Sequence, residues 1–211
     1  MQCTIRQYSA FMPYNLIVVK ELIQMGCTVH IVRWTKCNTP YVPSELPNVN
    51  YYDRNTFANV HSLLHKVREI KPDLIWVSGW IDKLYCRVVG LYRKEHDIPV
   101  VVGSDTQWRG GKQWLNVFFS PFRHRRWFSH IFVSGIWQYE YARKLGFDTN
   151  HILMHNLSAD VSTFMSVDIN LKQYHYPHKL LFIGRFVDVK GLSFLLDAWK
   201  SIPDRKGWTL T

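Results

Sequence analysis

The alternation of short apolar runs with helical patterns constrains the fold of this chain most. Five apolar runs predict strands that are buried on both faces of a parallel sheet. They lie at 29–34, 74–77, 100–102, 131–133 and 152–154. Between them, apolar residues recur at helical spacing. These helical faces carry Leu16, Val19 and Ile23, then Phe57, Val60, Leu64 and Val67, then Leu84, Val88, Leu91 and Tyr92. The alternation predicts an open, doubly wound α/β sheet with right-handed crossovers.

The periodic pattern changes near residue 156 and starts afresh after Pro177. A polar, tyrosine-bearing stretch precedes a new apolar run at 180–183, which is followed by one loop, one helix and the beginning of a strand at 208–211. We therefore expect an N-terminal domain over 1–156, an interdomain connection over 157–178 and the beginning of a second α/β domain over 179–211. These elements are too few to form a complete domain. We therefore expect the chain to stop inside its second domain.

The composition favours an anionic partner and a reducing compartment. The formal net charge is +10, which phosphate-bearing small molecules, nucleic acid and anionic lipid would match equally well. The four cysteines form no Cys-x-x-Cys pair. Neither a spanning apolar run nor a signal-peptide pattern is present. We expect a cytoplasmic protein that can lie at the inner face of the cytoplasmic membrane. His61 and His65 lack a third ligand, so we expect no metal and no other cofactor.

The segment from Leu181 to Trp199 carries the sharpest chemical signal. A predicted strand ends at Gly184, and a predicted helix begins near Gly191, so Arg185 lies at a strand end and Lys190 at a helix entrance. A cation is disfavoured at a helix N-terminus unless an anion binds there. The two side chains and the helix N–H groups are therefore candidates to bind one diphosphate. On spacing alone, two solvated loop cations would explain the pair equally well.

The string Phe182-Ile-Gly-Arg-Phe, followed by Lys190-Gly-Leu and Leu195-Leu-Asp-Ala, resembles the start of the C-terminal domain in GT-B glycosyltransferases of family 4. The resemblance continues, more weakly, through 71–80, 98–106, 132–134 and 156–164. It implies a GT-B fold and a role for Gly184, Arg185, Lys190 and Gly191 in binding the donor diphosphate.

The resemblance also implies an activity. We expect a glycosyltransferase that moves a hexose from a nucleoside diphosphate sugar to a glycan or a lipid-linked acceptor, with retention of configuration, in cell-envelope polysaccharide or glycolipid synthesis. The family's Glu-x7-Glu element would follow Thr211, so the chain as given should be inactive. Two alternatives stay open: another enzyme of the same fold, such as a nucleotide-sugar epimerase, and a non-catalytic basic module that binds membrane or nucleic acid.

The chain departs from the family pattern at three points. Pro13-Tyr14-Asn15 stands where the family has a glycine-rich turn, the hinge sequence lacks its glycine, and Asp105 stands where many members carry a histidine. The resemblance makes Asp105 the candidate catalytic residue, beside Ser104, although Asp105 could instead cap a turn. Position alone suggests three residues for the acceptor side: Trp80, Trp108 and Arg109.

Between Asp105 and Glu140 the chain holds no acidic residue, while cations alternate with aromatic residues. This mixture suits a lipid headgroup boundary, and it would also suit single-stranded nucleic acid. The alternative is an ordinary helix whose aromatic residues pack on the sheet. We expect contact with an anionic membrane or a lipid acceptor and no nucleic acid partner. The candidate residues are Trp114, Arg123, Arg125, Arg126 and Trp127.

Overall fold

The computed structural model describes residues 2–8, 13–35, 45–165, 168–174 and 176–211. These residues form two compact units, Met1–Asp160 and Val161–Thr211. The division into 1–156, 157–178 and 179–211 stays a prediction.

The described part of the first unit builds a seven-stranded sheet in which every pair of neighbouring strands is parallel. The strands are β1 (Gln2–Tyr8), β2 (Thr28–Arg33), β3 (Val49–Asp53), β4 (Leu74–Val77), β5 (Val100–Ser104), β6 (His130–Val133) and β7 (Ile152–Met154). Their order is β3-β2-β1-β4-β5-β6-β7. This order extends the arrangement of Rossmann-type sheets by one strand, so the predicted parallel α/β sheet is confirmed.

Helices connect most of these strands. They are α1 (Pro13–Gln24), α2 (Val60–Ile70), α3 (Lys83–Glu95), α4 (Gln113–Phe119), α5 (His124–Trp127) and α6 (Ile136–Lys144). Gly26 and Gly146 follow α1 and α6 with φ angles of 80° and 88°, which confirms them as helix-ending glycines. Leu91 is the exception among the predicted helical faces, because it is partly exposed while Val88 and Tyr92 are buried.

Two groups of buried side chains hold the sheet between its helices. One group joins Val19 of α1 to Val29 and Ile31 of β2. The other joins Val32 of β2 to buried residues of α2, α3 and α6 and of β4 to β7. Because successive strand side chains point to opposite faces, Ile31 and Val32 belong to opposite sides of the sheet. The continuous apolar runs therefore reflect burial on both faces.

Helices α3 and α5 approach each other closely at Gly90. A Cβ atom at this position would lie 2.5 Å from Cδ1 of Trp127. The glycine is buried in the middle of α3, where alanine would ordinarily favour the helix. The contact with Trp127 explains why a residue without a side chain stands there.

The second unit contains one parallel strand–helix–strand element. This element consists of β8 (Lys179–Leu180), α9 (Leu192–Ser201) and β9 (Thr209–Leu210), with β8 parallel to β9. The helices α7 (Val161–Phe164) and α8 (Ile169–Tyr174) precede it. The predicted strand at 180–183 is shorter than expected, although Phe182 N–H still donates to Thr211 O at 2.9 Å. Among the residues of this unit whose burial the structure describes, none is buried, because one such element is too small to enclose a core.

Gly90→Ala should destabilise the first unit by about 1–3 kcal/mol, because the new methyl group forces the Trp127 ring to move. In a Trp127→Ala background the same change should be neutral or stabilising by up to about 1 kcal/mol, as in an ordinary helix. Denaturant unfolding of the four proteins measures both effects. Equal effects of Gly90→Ala in the two backgrounds would show that the contact is not responsible.

Candidate functional site

The carboxyl edge of the parallel sheet carries the main candidate site of the first unit. Trp34 follows β2, Arg54 follows β3, and Ser78 and Gly79 follow β4. Ligands of open α/β sheets bind outside the carboxyl ends of the strands, near the point where the strand order reverses. Here the order reverses at β1, which pairs with both β2 and β4.

A cavity of about 500 Å³ lies at this edge. Trp34 and Arg54 line it together with Ser78, Gly79, Ile81, Asp82, Lys83, Leu84 and Tyr85. Such a volume falls in the range of small-molecule sites. We call it the Arg54 cavity.

Arg54 is held in one position by four contacts. Its Nε donates to Asp82 Oδ2 at 3.3 Å, and its Nη1 donates to Phe57 O at 2.9 Å. Its guanidinium carbon lies 5.0 Å from the ring centre of Trp34 and 5.1 Å from that of Tyr85. Cation–π contacts and a partly buried ion pair together orient the guanidinium.

Asp82 links this cation to the start of α3. Its Oδ1 accepts from the N–H of Leu84 at 2.9 Å as the cap of the helix, while Oδ2 faces Arg54. One carboxylate therefore begins a helix and balances the cation of the cavity.

Tyr85 lines the cavity, and its hydroxyl is buried. Burial raises the pKa of this tyrosine well above its usual value, so the hydroxyl stays neutral. Within the described residues the hydroxyl has no hydrogen-bond partner.

The candidate catalytic Asp105 follows β5 at the same edge but does not line the Arg54 cavity. It is exposed, and in the described part of the chain its carboxylate makes no hydrogen bond or ion pair. The hydroxyl of buried Ser104, rather than Asp105, accepts from the N–H of Thr106 at 3.4 Å. The carboxylate is thus available, although its role stays a prediction.

The two tryptophans predicted for the acceptor side pack within the first unit. The Trp80 ring lies 4.8 Å from His124, and the Trp108 ring lies 5.6 Å from Tyr141. Both are partly buried against the core. Arg109 is exposed, and its backbone N–H donates to Gln113 Oε1 at 2.6 Å.

The basic aromatic stretch divides into packed and exposed members. Trp127 packs against the core beside Gly90, whereas Arg125 lies beside Gly146 and is exposed. Trp114, by contrast, is largely exposed, as are Arg123 and Arg126. The alternative of an ordinary helix whose aromatic residues pack on the sheet therefore accounts for Trp127 but not for Trp114, and the expected membrane or lipid-acceptor role stays a prediction.

The second unit places Arg185 and Lys190 in the loop between β8 and α9. Both side chains are exposed, and neither makes a hydrogen bond or ion pair in the described part of the chain. Gly191, with a φ of 65°, leads into α9, which has no side-chain cap. The first N–H groups of the helix therefore lack an intrachain side-chain partner. Gly184 lies beside the Phe182 ring.

Sequence reasoning missed the residues that line the Arg54 cavity. Strand β3 was not predicted, because Asn50 interrupts its apolar residues and because four of its five residues are only partly buried. The alternation of Val49 and Tyr51, followed directly by the charged pair Asp53-Arg54, was the available signal for a strand that ends at a polar site.

The stability of the first unit should fall as the pH drops from about 6.5 towards 4. Burial, with a smaller contribution from Arg123, lowers the pKa of His124 to about 4. Because the unfolded histidine titrates near 6.5, protons favour the unfolded chain in this window, and His124 contributes about 3 kcal/mol at most to the loss. Burial also lowers the pKa of His30 and of His130, which adds to the loss in the same direction. His124→Phe should reduce this dependence, which urea unfolding at several pH values measures. His61→Phe, at an exposed position of α2, is the matched control for the substitution.

Comparison with known proteins supports the fold. No protein-family model and no curated protein sequence matches the chain. The structure is similar to MnaA of S. aureus in complex with UDP, with a TM-score of 0.52 and 17% identity over 100% of this chain and 61% of that chain. It spans less than two thirds of that protein.

Two further likenesses are too weak to support any statement about this chain. Epimerase Mth375 of Methanothermobacter thermautotrophicus matches with a TM-score of 0.37 and 14% identity over 51% of this chain and 37% of that one. A Serratia marcescens short-chain dehydrogenase/reductase matches with a TM-score of 0.39 and 13% identity over 72% of this chain and 95% of that one. The likeness to MnaA confirms the predicted fold class, an α/β fold of the Rossmann-like type with parallel sheets and flanking helices.

Proposed function

We propose that this chain is part of an enzyme that acts on a nucleoside diphosphate sugar, and that the loop from Gly184 to Gly191 binds the diphosphate. One observation carries the proposal. Arg185 and Lys190 are exposed without an intrachain partner in the described residues, directly before a helix that lacks a side-chain cap.

The electrostatics of this loop favour a bound anion. The N-terminus of a helix carries a partial positive charge, so cations placed before it are disfavoured by about 0.3–1 kcal/mol. A bound diphosphate makes the interaction favourable, because its negative charge attracts both cations and because it accepts hydrogen bonds from the helix N–H groups and from both side chains. Gly191 adopts a left-handed backbone conformation that favours glycine, and this conformation turns the chain into α9.

The likeness to MnaA supports the same ligand class. That protein was solved with UDP, and the match covers 100% of this chain and 61% of that one. The shared fold makes a nucleoside diphosphate a reasonable first ligand to test.

Two reactions fit such a ligand. The resemblance to family 4 favours transfer of the hexose to an acceptor hydroxyl, in which Arg185 and Lys190 stabilise the departing diphosphate. Epimerisation of the nucleotide sugar is the alternative, and the likeness to MnaA in complex with UDP favours it over glycosyl transfer.

For the transfer reaction we propose the Arg54 cavity as the acceptor site. Its Trp34 wall suits the apolar face of a sugar ring, and Arg54 and Asp82 offer polar partners for sugar hydroxyls. This assignment replaces Trp80 and Trp108, which pack against the core instead.

Arg185→Ala and Lys190→Ala should each weaken UDP binding by about 1.5–3 kcal/mol, because each removes a charged hydrogen-bond donor from the diphosphate. Isothermal titration calorimetry on the intact protein measures the change. Lys200→Ala is the matched control, since Lys200 is an exposed cation at the other end of α9. Unchanged affinity in both loop variants would reject the assignment.

Nuclear magnetic resonance of a nucleotide sugar separates the two reactions. A transferase releases free nucleoside diphosphate only when an acceptor is present, whereas an epimerase changes the ring protons of the sugar without one. If transfer occurs, Trp34→Ala should raise the KM for the acceptor about tenfold, with UDP affinity unchanged, because it removes the cavity wall. Trp34→Phe should restore part of the loss. Equal KM values in wild type and Trp34→Ala would place the acceptor elsewhere.

A further inference from the structure

Five large apolar side chains protrude from α4 and the turn that follows it. The exposed fractions are 57% for Trp114, 62% for Leu115, 71% for Phe118, 40% for Phe119 and 70% for Phe122. We call this group the aromatic ridge. Leu115, Phe118, Phe119 and Phe122 recur at helical spacing, so a continuous apolar face points away from the core. Apolar patches of this kind mark interaction surfaces.

Cations from two helices border the aromatic ridge. The guanidinium carbon of Arg123 lies 5.4 Å from the ring centre of Phe119. Phe122 and Arg126 line a shallow cavity of about 370 Å³ together with Arg87 and Lys94 of α3. The segment 106–139 contains no acidic residue. The surface therefore combines protruding apolar groups with an unbalanced positive rim.

We propose that the aromatic ridge inserts into the headgroup region of a bilayer that contains anionic phospholipids. The apolar side chains would enter the boundary between headgroups and acyl chains, and Arg123, Arg126, Arg87 and Lys94 would contact lipid phosphates. The described residues include no helix that is long and apolar enough to cross a membrane. The contact is therefore a peripheral one made by the ridge itself.

The geometry favours lipid over the other occupants. The rings of Phe118 and Phe119 meet at 85°, and those of Trp108 and Trp114 at 90°, so neighbouring rings do not form a parallel platform for stacked bases. A symmetric contact between two copies would bring the same positively charged patch of each copy together. Leu115 adds an aliphatic group that has no role in base stacking.

Co-sedimentation of the intact protein with lipid vesicles tests the proposal. The protein should bind phosphatidylcholine vesicles that contain about 30% phosphatidylglycerol and should bind phosphatidylcholine alone far more weakly. Added salt should reduce the binding. Indifference to the anionic lipid, or no binding at all, would overturn the proposal.

Matched variants locate the contact. Phe118→Ser should lower the partition coefficient about tenfold, and Arg123→Ser and Arg126→Ser about fivefold each. Met25→Ser and Lys20→Ser, which change an exposed apolar group and an exposed cation outside the ridge, should have little effect. All five positions are exposed, and thermal unfolding verifies that the variants fold.

Two results would assign the surface to another partner. Loss of binding to single-stranded RNA in the ridge variants, with vesicle binding unchanged, would identify a nucleic acid surface. Dissociation of a dimer by Phe118→Ser in sedimentation velocity, again with vesicle binding unchanged, would identify an interface between copies.

Quenching of Trp114 fluorescence by brominated lipid, measured as the difference from Trp114→Phe, should occur only if the ridge enters the bilayer.

Discussion

The parallel pairing of β1 with both β2 and β4 is the constraint on which the first unit depends. From β1 the sheet extends through β2 and β3 on one side and through β4 to β7 on the other. Every strand runs in the same direction, so every carboxyl end lies at one edge. Such a sheet must be covered on both faces, because its strands are apolar on both. Residues of α1 cover part of one face, and residues of α2, α3 and α6 cover the other.

The Arg54 cavity is a consequence of that arrangement. Trp34, Arg54 and Asp82 come from three separate connections, and they meet because β2, β3 and β4 end at the same edge. Arg54 is oriented by Asp82 and by two aromatic rings. A guanidinium held in this way loses little conformational freedom when it binds a ligand. The cavity therefore has the properties of a prepared binding site.

The two units differ in how far local sequence explains them. In the loop before α9, Arg185, Lys190 and Gly191 lie within seven residues, and their placement at a helix start follows from local pattern. In the first unit, tertiary contacts decided which aromatic side chains are buried and which are exposed. Trp108 and Trp127 pack against the core, whereas Trp114 and Phe118, from the same basic aromatic stretch, are exposed. Composition alone does not separate these cases, because it carries no information about which face of α4 meets the sheet.

The sequence by itself determined the α/β class, five strands of the sheet and the helical faces of α1, α2 and most of α3. The reason is that the spacing of apolar residues within a short segment indicates both the type of element and its buried face. It also determined the cationic loop at Arg185 and Lys190. Only the tertiary structure decided the strand order, the Arg54 cavity and the exposure of the aromatic ridge. Each of these brings together residues that are distant in the chain, and the contacts between them depend on how whole elements pack rather than on any local spacing.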